Sequence, residues 1–209
     1  MGITVNKNSS IRVDESKTIY FDPWDVESEK DADVVFVTHD HFDHYDAKTI
    51  KRIIKEDSKV VIPVSILEIV KKDFDEAILY PVEADKEYEV NGIKFATVRG
   101  YNNAPTQFHP IEKGYLGYVV ELDGLSYYVT SDSDNTEDAR KVKCDVLLVP
   151  IGGKYTMDVD AGVDLVLTIN PKLAIPTHYG GVAGSKEDGE TFKRKIHEVN
   201  KDIEVKILL

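Results

Sequence analysis

The chain has 209 residues, of which 42% are hydrophobic and 31% charged, and its formal net charge is -12. That length suits a single domain with its own core, and the negative charge disfavours a nucleic acid or an anionic membrane surface as partner. One cysteine, Cys144, excludes a disulfide within the chain. The opening MGITVNKNSS lacks the apolar stretch of a signal peptide, and no run approaches the ~18 apolar residues of a membrane span. The expectation is a cytoplasmic protein without membrane insertion.

In chain order, Val34 to Thr38 is a short apolar run that reads as a buried strand. The polar cluster His39 to His44 follows, and then a helix from about Ala47, capped by Asp46, with Ile50, Ile53 and Ile54 as its apolar stripe. Lys59 to Ile62 reads as the next strand. Ser65 and Glu68 have the spacing of a capping box ahead of a second helix. Asn91-Gly92, between Glu87–Val90 and Ile93–Val98, predicts a tight hairpin. Asp123-Gly124 repeats the signal between Tyr115–Leu122 and Leu125–Thr130. Strand and helix then alternate: Asp145–Pro150 extended, Asp158 to about Ile169 helical with Val163, Val166 and Leu167 turned inward, and Leu173–Pro176 extended. Lys186–Val199 reads as a helix burying Phe192, Ile196 and Val199, and Ile203–Leu208 as a closing strand. Hairpins mixed with strand–helix units predict two sheets with helices outside, a layered α/β arrangement.

The segment Thr38-His39-Asp40-His41-Phe42-Asp43-His44 carries the chemistry. It holds three of the six histidines in the chain. Histidine and aspartate suit a borderline cation such as zinc, and the cluster sits at a strand end. Alternation lets His39 and His41 converge on one cation while Asp43 and His44 face a second. Asp40 and Asp46 also read as caps of the following helix. Two further strand ends offer partners. Tyr127–Thr130 runs into Ser131-Asp132-Ser133-Asp134, where an aspartate can bridge two cations. Leu173–Pro176 runs into Thr177-His178-Tyr179-Gly180-Gly181, where a histidine can complete the second. On spacing alone each is only suggestive, and a lone histidine after a strand is more often a hydrogen-bonded structural residue.

Four segments, FDPWDVESEKDADVVFVTHDHFDHYD, VRGYNNAPTQFHPIEKGYLGYVVELDGLSYYVTSDSD, CDVLLVPIGGKYTMDVDAG and PKLAIPTHYGG, resemble the small metal-dependent hydrolases of the metallo-β-lactamase superfamily. Relatives of ascorbate-6-phosphate lactonase and of N-acyl-phosphatidylethanolamine phospholipase D belong to the same branch. The likeness runs from about Tyr20 to about Phe192. It implies a four-layer αββα sandwich of two mixed sheets with outer helices, as one domain over residues 1–209, with the site along one edge of both sheets. It implies a first cation held by His39, His41 and His109, a second held by Asp43, His44 and His178, and Asp132 bridging them. His197 is then left over as a surface residue. His109 lies in a Pro-flanked loop, Pro105 to Pro110, which reads otherwise as a surface segment. The chain departs from the family in having Ser131 where glycine usually precedes the bridging aspartate.

Weaker candidates surround these. Gly152-Gly153-Lys154-Tyr155-Thr156-Met157-Asp158 is either a glycine turn capped by Asp158 or a segment that brings Tyr155 to a substrate pocket. Tyr179 and Asn102 are similar pocket candidates. Cys144 opens an apolar strand and reads as a buried structural thiol.

The expected function is metal-assisted hydrolysis of an ester, lactone or phosphodiester, with Asp43, Tyr155 and Tyr179 as the protein groups acting on it. The cofactor would be two divalent ions, zinc ahead of manganese, iron or nickel. The partner is a small molecule, for which an anionic character is open. A phosphodiesterase for a nucleotide or phospholipid head group is the neighbouring alternative. A metal-binding sensor without turnover is a third. Neither a GxSxG elbow nor a Walker A loop is present.

Overall fold

The computed structural model describes residues 2–103 and 108–209. Among the described residues, thirteen strands form two sheets. The first runs in sequence order through β1 (Gly2–Val5), β2 (Ile11–Asp14), β3 (Thr18–Phe21), β4 (Ala32–Phe36), β5 (Ile54–Pro63) and β6 (Leu79–Val82). β1 to β3 pair antiparallel and β3 to β6 pair parallel. The second contains β7 (Glu87–Val90), β8 (Ile93–Arg99), β9 (Leu116–Leu122), β10 (Leu125–Val129), β11 (Val146–Pro150), β12 (Leu173–Thr177) and β13 (Glu204–Val205), again in sequence order. β7 to β10 pair antiparallel and β10 to β13 parallel.

Side-chain alternation explains the layers. Along β4, Val34 and Phe36 enter the core between the sheets, while Val35 and the following Val37 join the core under α1 (Ala47–Ile53) and α2 (Leu67–Val70). Along β11, Val146 and Leu148 face the inter-sheet core, and Leu147 and Val149 face the core under α4 (Val159–Ile169) and α5 (Glu187–Val199). Such strands are apolar on both faces because each face is covered, which is the signature of parallel strands under helices. The order helix, sheet, sheet, helix is the αββα sandwich. Short α3 (Glu137–Lys141) lies beside the second sheet. Between the sheets, Phe36 stacks on Phe21 at 5.1 Å and meets Phe95 edge-on at 5.1 Å. Two bonds then lace the sheets together next to the histidine cluster. The Tyr118 hydroxyl donates to the Val37 carbonyl at 2.8 Å, and Leu116 N–H to the Thr38 carbonyl at 3.1 Å.

Local signals held in most places. Asp46 caps α1 by accepting from the Lys48 and Thr49 N–H groups, and Asp158 caps α4 through Ala161 N–H. Both hairpins turn on paired left-handed residues, Asn91 and Gly92 (φ 49° and 75°) and Asp123 and Gly124 (φ 50° and 79°), as two-residue turns between right-twisted strands require.

Five expectations need correction. The Ser65–Glu68 capping box does not form. The Ser65 hydroxyl donates instead to the Gly114 carbonyl at 3.2 Å, Glu68 pairs with Lys71, and α2 has four residues. Val199, in the last turn of α5, is 71% exposed, and the buried residues of the helix are Gly189, Phe192 and Ile196. The closing strand is only Glu204–Val205. Within α4, Leu165 and Ile169 are buried, and Leu167 only partly so. Cys144 is partly buried, and burial pushes its thiol up to about 12.

Candidate metal centre

Parallel strands present their carboxyl ends on one side of a sheet, where loops and ligands gather. Here the ends of β3 and β4 in one sheet meet those of β10 and β12 in the other. The chain leaves β4 through Val37 and Thr38 into the histidine loop, where His44 N–H and Tyr45 N–H both donate to the His41 carbonyl, at 3.0 and 2.8 Å. That turn folds the cluster back on itself. Asp22, just past β3 and wholly buried, fastens it. Its carboxylate accepts from Thr38 N–H, from the Thr38 hydroxyl and from His44 Nδ1, each at 2.7 Å. With Nδ1 so engaged, His44 directs Nε2 into the centre.

The other sheet supplies the facing wall. His109 Nε2 stands 3.2 Å from His41 Nδ1, and its Nδ1 is held by Asn102 Oδ1 at 3.1 Å. Asn102 is fixed in turn by donating to Asp134 and to the Tyr155 carbonyl, both at 3.2 Å. Pro105, at the start of that loop, lies outside the described residues. Asp132 Oδ2 lies 3.2 Å from His178 Nε2, 3.3 Å from His44 Nε2 and 3.7 Å from His109 Nε2. His178 Nε2 is also 3.3 Å from Asp43 Oδ2, which accepts from Asn8 Nδ2 at 3.0 Å. Asn8 acts twice, because its carbonyl accepts the His178 N–H at 2.9 Å.

Three sets of donors each gather within 4.8 Å: His39, His41 and His109; Asp43, His44 and His178; and His39, His44 and Asp132. The third set overlaps the first at His39 and the second at His44, so the first two are adjacent. These groups suit a cation for a reason beyond proximity. His39 Nε2 and Asp132 Oδ1 are buried with no partner, and His44 Nε2 and His178 Nε2 face only the carboxylates of Asp132 and Asp43. An unmet buried polar atom costs about 1–3 kcal/mol, and a dication would satisfy the first two and take the place of the protons shared by the others. Imidazole with carboxylate is a donor set for zinc and its neighbours in the first transition series.

Protonation follows the same geometry. Burial holds His39 well below the ordinary histidine range and brings His109 down to about 4, so both offer lone pairs at neutral pH. Burial also acts to lower His178 and His44. For His178 the carboxylates of Asp132 and Asp43 outweigh it and carry the group up to about 9. For His44, Asp132 and Asp22 outweigh it and raise the group well above its usual value. Without metal, protons on these two imidazoles balance the buried carboxylates; a cation takes over that part.

Backbone strain marks the same loops. Ser131 and His178 hold left-handed conformations, φ 66° and 54°. Side chains there are disfavoured and persist where the surroundings over-determine them. At Ser131 this explains why glycine is usual before the aspartate, and the Ser131 hydroxyl lies 3.4 Å from His39 Nδ1. Gly152 has no room for a side chain, because a Cβ would stand 2.3 Å from the His178 carbonyl oxygen.

His41, Asp43, His109, Asp132 and His178 open into a cavity of about 280 Å3, also lined by Phe42, Phe108, Tyr155 and Val182. Tyr155 therefore reaches the cavity. Tyr179 does not line it. Its ring packs into the helix-side core, with its hydroxyl against Gly189 of α5, and it borders a neighbouring cavity. Asn102 stands behind His109 and does not line the cavity. Asp40 accepts from the Tyr115 hydroxyl at 2.6 Å and does not cap α1. His197 is partly buried, with Nε2 3.1 Å from the Ile203 carbonyl. Sequence reasoning missed Asp22 and Asn8. Asp22 carried one signal, an acidic residue directly after the apolar run Ile19–Phe21. Asn8 carried none.

Comparison with known proteins identifies the family. A UPF0173 metal-dependent hydrolase of Thermoplasma acidophilum is 32% identical over 189 residues, covering 83% of this chain and 81% of its own. A second of that description, from Nanoarchaeum equitans, is 29% identical over 220 residues, covering 98% of this chain and 99% of its own. Among solved structures, Igni18, described as a novel metallo hydrolase from Ignicoccus hospitalis, superposes with a TM-score of 0.77 at 21% identity, covering 98% of this chain and 93% of its own, a likeness of fold. Residues 3–178 match the family described as the Beta-lactamase superfamily domain. With that match spanning every strand end that feeds the centre, the chain belongs to the beta-lactamase superfamily.

Proposed function

We propose that this chain is a metal-dependent hydrolase that uses two divalent cations, zinc ahead of manganese, iron and nickel, to cleave an ester, lactone or phosphodiester. The observation that carries this reading is the pair of adjacent donor triads with buried, unpartnered nitrogen and oxygen atoms. Its relatives named as metal-dependent hydrolases point the same way. In this reading His39, His41 and His109 hold one ion, Asp43, His44 and His178 the other, and Asp132 serves both.

Such cations supply Lewis acidity, which acidifies a water and polarises the attacked oxygen. The chain's own groups do the rest. Asp22 and Asn102 fix the tautomers of His44 and His109 by engaging Nδ1, which leaves Nε2 as the donor. Burial alone would raise Asp43, but His178 and His44 outweigh it and hold its carboxyl below the usual range. Asp43 is therefore ionised at neutral pH, lines the cavity, and can orient a water and take its proton on a carboxylate oxygen. Tyr155 borders the same space and is placed to contact a substrate. No protein nucleophile is needed, and the Cys144 thiol, pushed up to about 12 in the helix-side core, is unsuited to be one.

The test combines metal analysis with turnover. Protein purified without chelator is expected to contain about two equivalents of divalent metal and to hydrolyse members of a panel of esters, lactones and phosphodiesters, with chelation abolishing both. Fully folded protein that takes up no zinc overturns the metal assignment. Protein with two ions and no turnover across the panel favours a binding module.

A further inference from the structure

We infer that the substrate presents a neutral apolar acyl group, seated on a track that runs from the metal cavity over Phe42 and Val182 to Trp24, an inference that rests on the hydrolase reading above. Single exposed apolar side chains are ordinary. Three around one opening are not. Phe42, Phe108 and Val182 are 68%, 45% and 41% exposed, and all three line the cavity into which His41, Asp43 and His178 open.

The apolar surface continues beyond the mouth. The Phe42 ring meets Trp24 edge-on, centroids 5.8 Å apart. Trp24 lines a neighbouring cavity of about 460 Å3, which shares Val182 as a wall and is also bordered by Tyr179 and Leu209. A chain leaving the metal centre can therefore pass between Phe42 and Val182 without losing apolar contact. On the opposite side, Phe108 is braced edge-on by Tyr155 at 4.8 Å.

The protein itself provides no cation at the mouth for an anionic group on the acyl chain. Among the described residues, no lysine or arginine lines the metal cavity, whereas Asp43 and Asp132 do. Lys154 is held over the Tyr155 ring, 5.0 Å from its centroid, and is not part of the lining. In the neighbouring cavity Lys7 is paired with Asp25 and sits over Trp24. Lys186 borders that second cavity only. With Asp43 and Asp132 engaged as proposed ligands, the remaining walls of the metal cavity offer the acyl chain apolar contact and no partner for a charge.

The zinc-loaded full chain, assayed with p-nitrophenyl acetate, butyrate and octanoate, tests this. Each CH2 removed from water is worth about fourfold in kcat/KM (about 0.8 kcal/mol). A track open to solvent on one side should realise about half of that on a logarithmic scale, so kcat/KM should rise on the order of fiftyfold from acetyl to octanoyl. Val182→Ser should lower the octanoyl value about three- to tenfold more than the acetyl value, with zinc content unchanged. The hemisuberate ester, equally long but ending in a carboxylate, should be slower than octanoate. Calorimetry of octanoate and acetate against the same protein reads the track without turnover, and octanoate should bind at least about tenfold tighter. Hydrolysis that is flat with chain length, with equal binding of the two acids, overturns the track and leaves the hydrolase reading standing. Preferential octanoate binding with no ester hydrolysed does the reverse. A hemisuberate faster than octanoate overturns the neutral acyl group and points to Lys186.

Discussion

Replacing Asp132 by Asn keeps the shape of the side chain and removes its charge. The carboxylate is wholly inside the protein, with one oxygen 3.2, 3.3 and 3.7 Å from imidazole nitrogens of His178, His44 and His109, and the other oxygen buried without a partner. It is thus the only one of the seven proposed ligands whose single oxygen approaches nitrogens of both outer triads. Removing one member of a buried ionic set costs about 3–5 kcal/mol, which is roughly two to three and a half powers of ten in affinity. Asp132→Asn is therefore expected to lose that much affinity for at least one ion, and hydrolysis with it. The control is two residues away. Asp134 is partly exposed and accepts from Asn103 N–H at 2.8 Å and from Asn102 Nδ2 at 3.2 Å. Asp134→Asn weakens one such bond, about 1 kcal/mol or fivefold, felt at His109 through Asn102. Calorimetric zinc titration of metal-free wild type and both variants, with bound metal counted by mass spectrometry, gives the comparison. Two ions bound at unchanged affinity by Asp132→Asn, with losses in Asp134→Asn, would refute the reasoning.

Other perturbations probe the supports. Asn8→Ala removes the bond to Asp43 and should weaken the second ion about 10–100-fold, read by the same titration. Gly152→Ala places a Cβ against the His178 carbonyl, where the contact would be 2.3 Å; the overpacked loop should lose about 1–3 kcal/mol in denaturant unfolding together with metal at His178. Asp46→Ala should cost about 1 kcal/mol through the lost cap of α1 and leave zinc stoichiometry at the wild-type value. The pH dependence has a definite sign. In metal-free protein His178 is raised to about 9, so a proton must leave before a cation binds. Apparent zinc affinity should climb from pH 7 to about 9 as His178 gives up its proton, with proton release visible in buffers of different ionisation enthalpy. A proton raised in the folded state stabilises it below the unfolded value and is lost as pH passes the folded one, so metal-free protein should lose this contribution between pH ~6.5 and about 9.

What was legible in the sequence was what short range decides. Hairpins at Asn91-Gly92 and Asp123-Gly124, the caps Asp46 and Asp158, and the buried runs of β4, β11 and β12 each follow from a few neighbouring residues. The histidine loop stood out because three like residues crowd together. The strands β1 to β3 were not read because they are four residues each and joined by turns without a glycine. The strand read as Lys59–Ile62 begins earlier, at Ile54, where the Ser58 hydroxyl donates to the Ala32 carbonyl at 2.6 Å and Lys55 pairs with Asp33. Tertiary contact overrode the local signal at Ser65 as well. Asn8 and Asp22 act on groups 35 and 22 positions away; the end of the run Ile19–Phe21 marks Asp22 as a strand-end acid without naming its partner, and nothing near Asn8 marks it at all.

That two sheets share one centre has a consequence for how the protein acquires it. His41 meets His109 across 68 positions, and Ser131 meets His39 across 92. A half-finished chain that has formed only the first sheet displays the His39–His44 loop but neither triad, since His109 and His178 have yet to arrive. Closing such long loops is slow relative to forming helices and hairpins. Metal capture by these residues is therefore expected late in folding, once one sheet has docked on the other. Cobalt, whose colour changes when it enters a nitrogen and oxygen site, would serve as a clock for that last step during refolding.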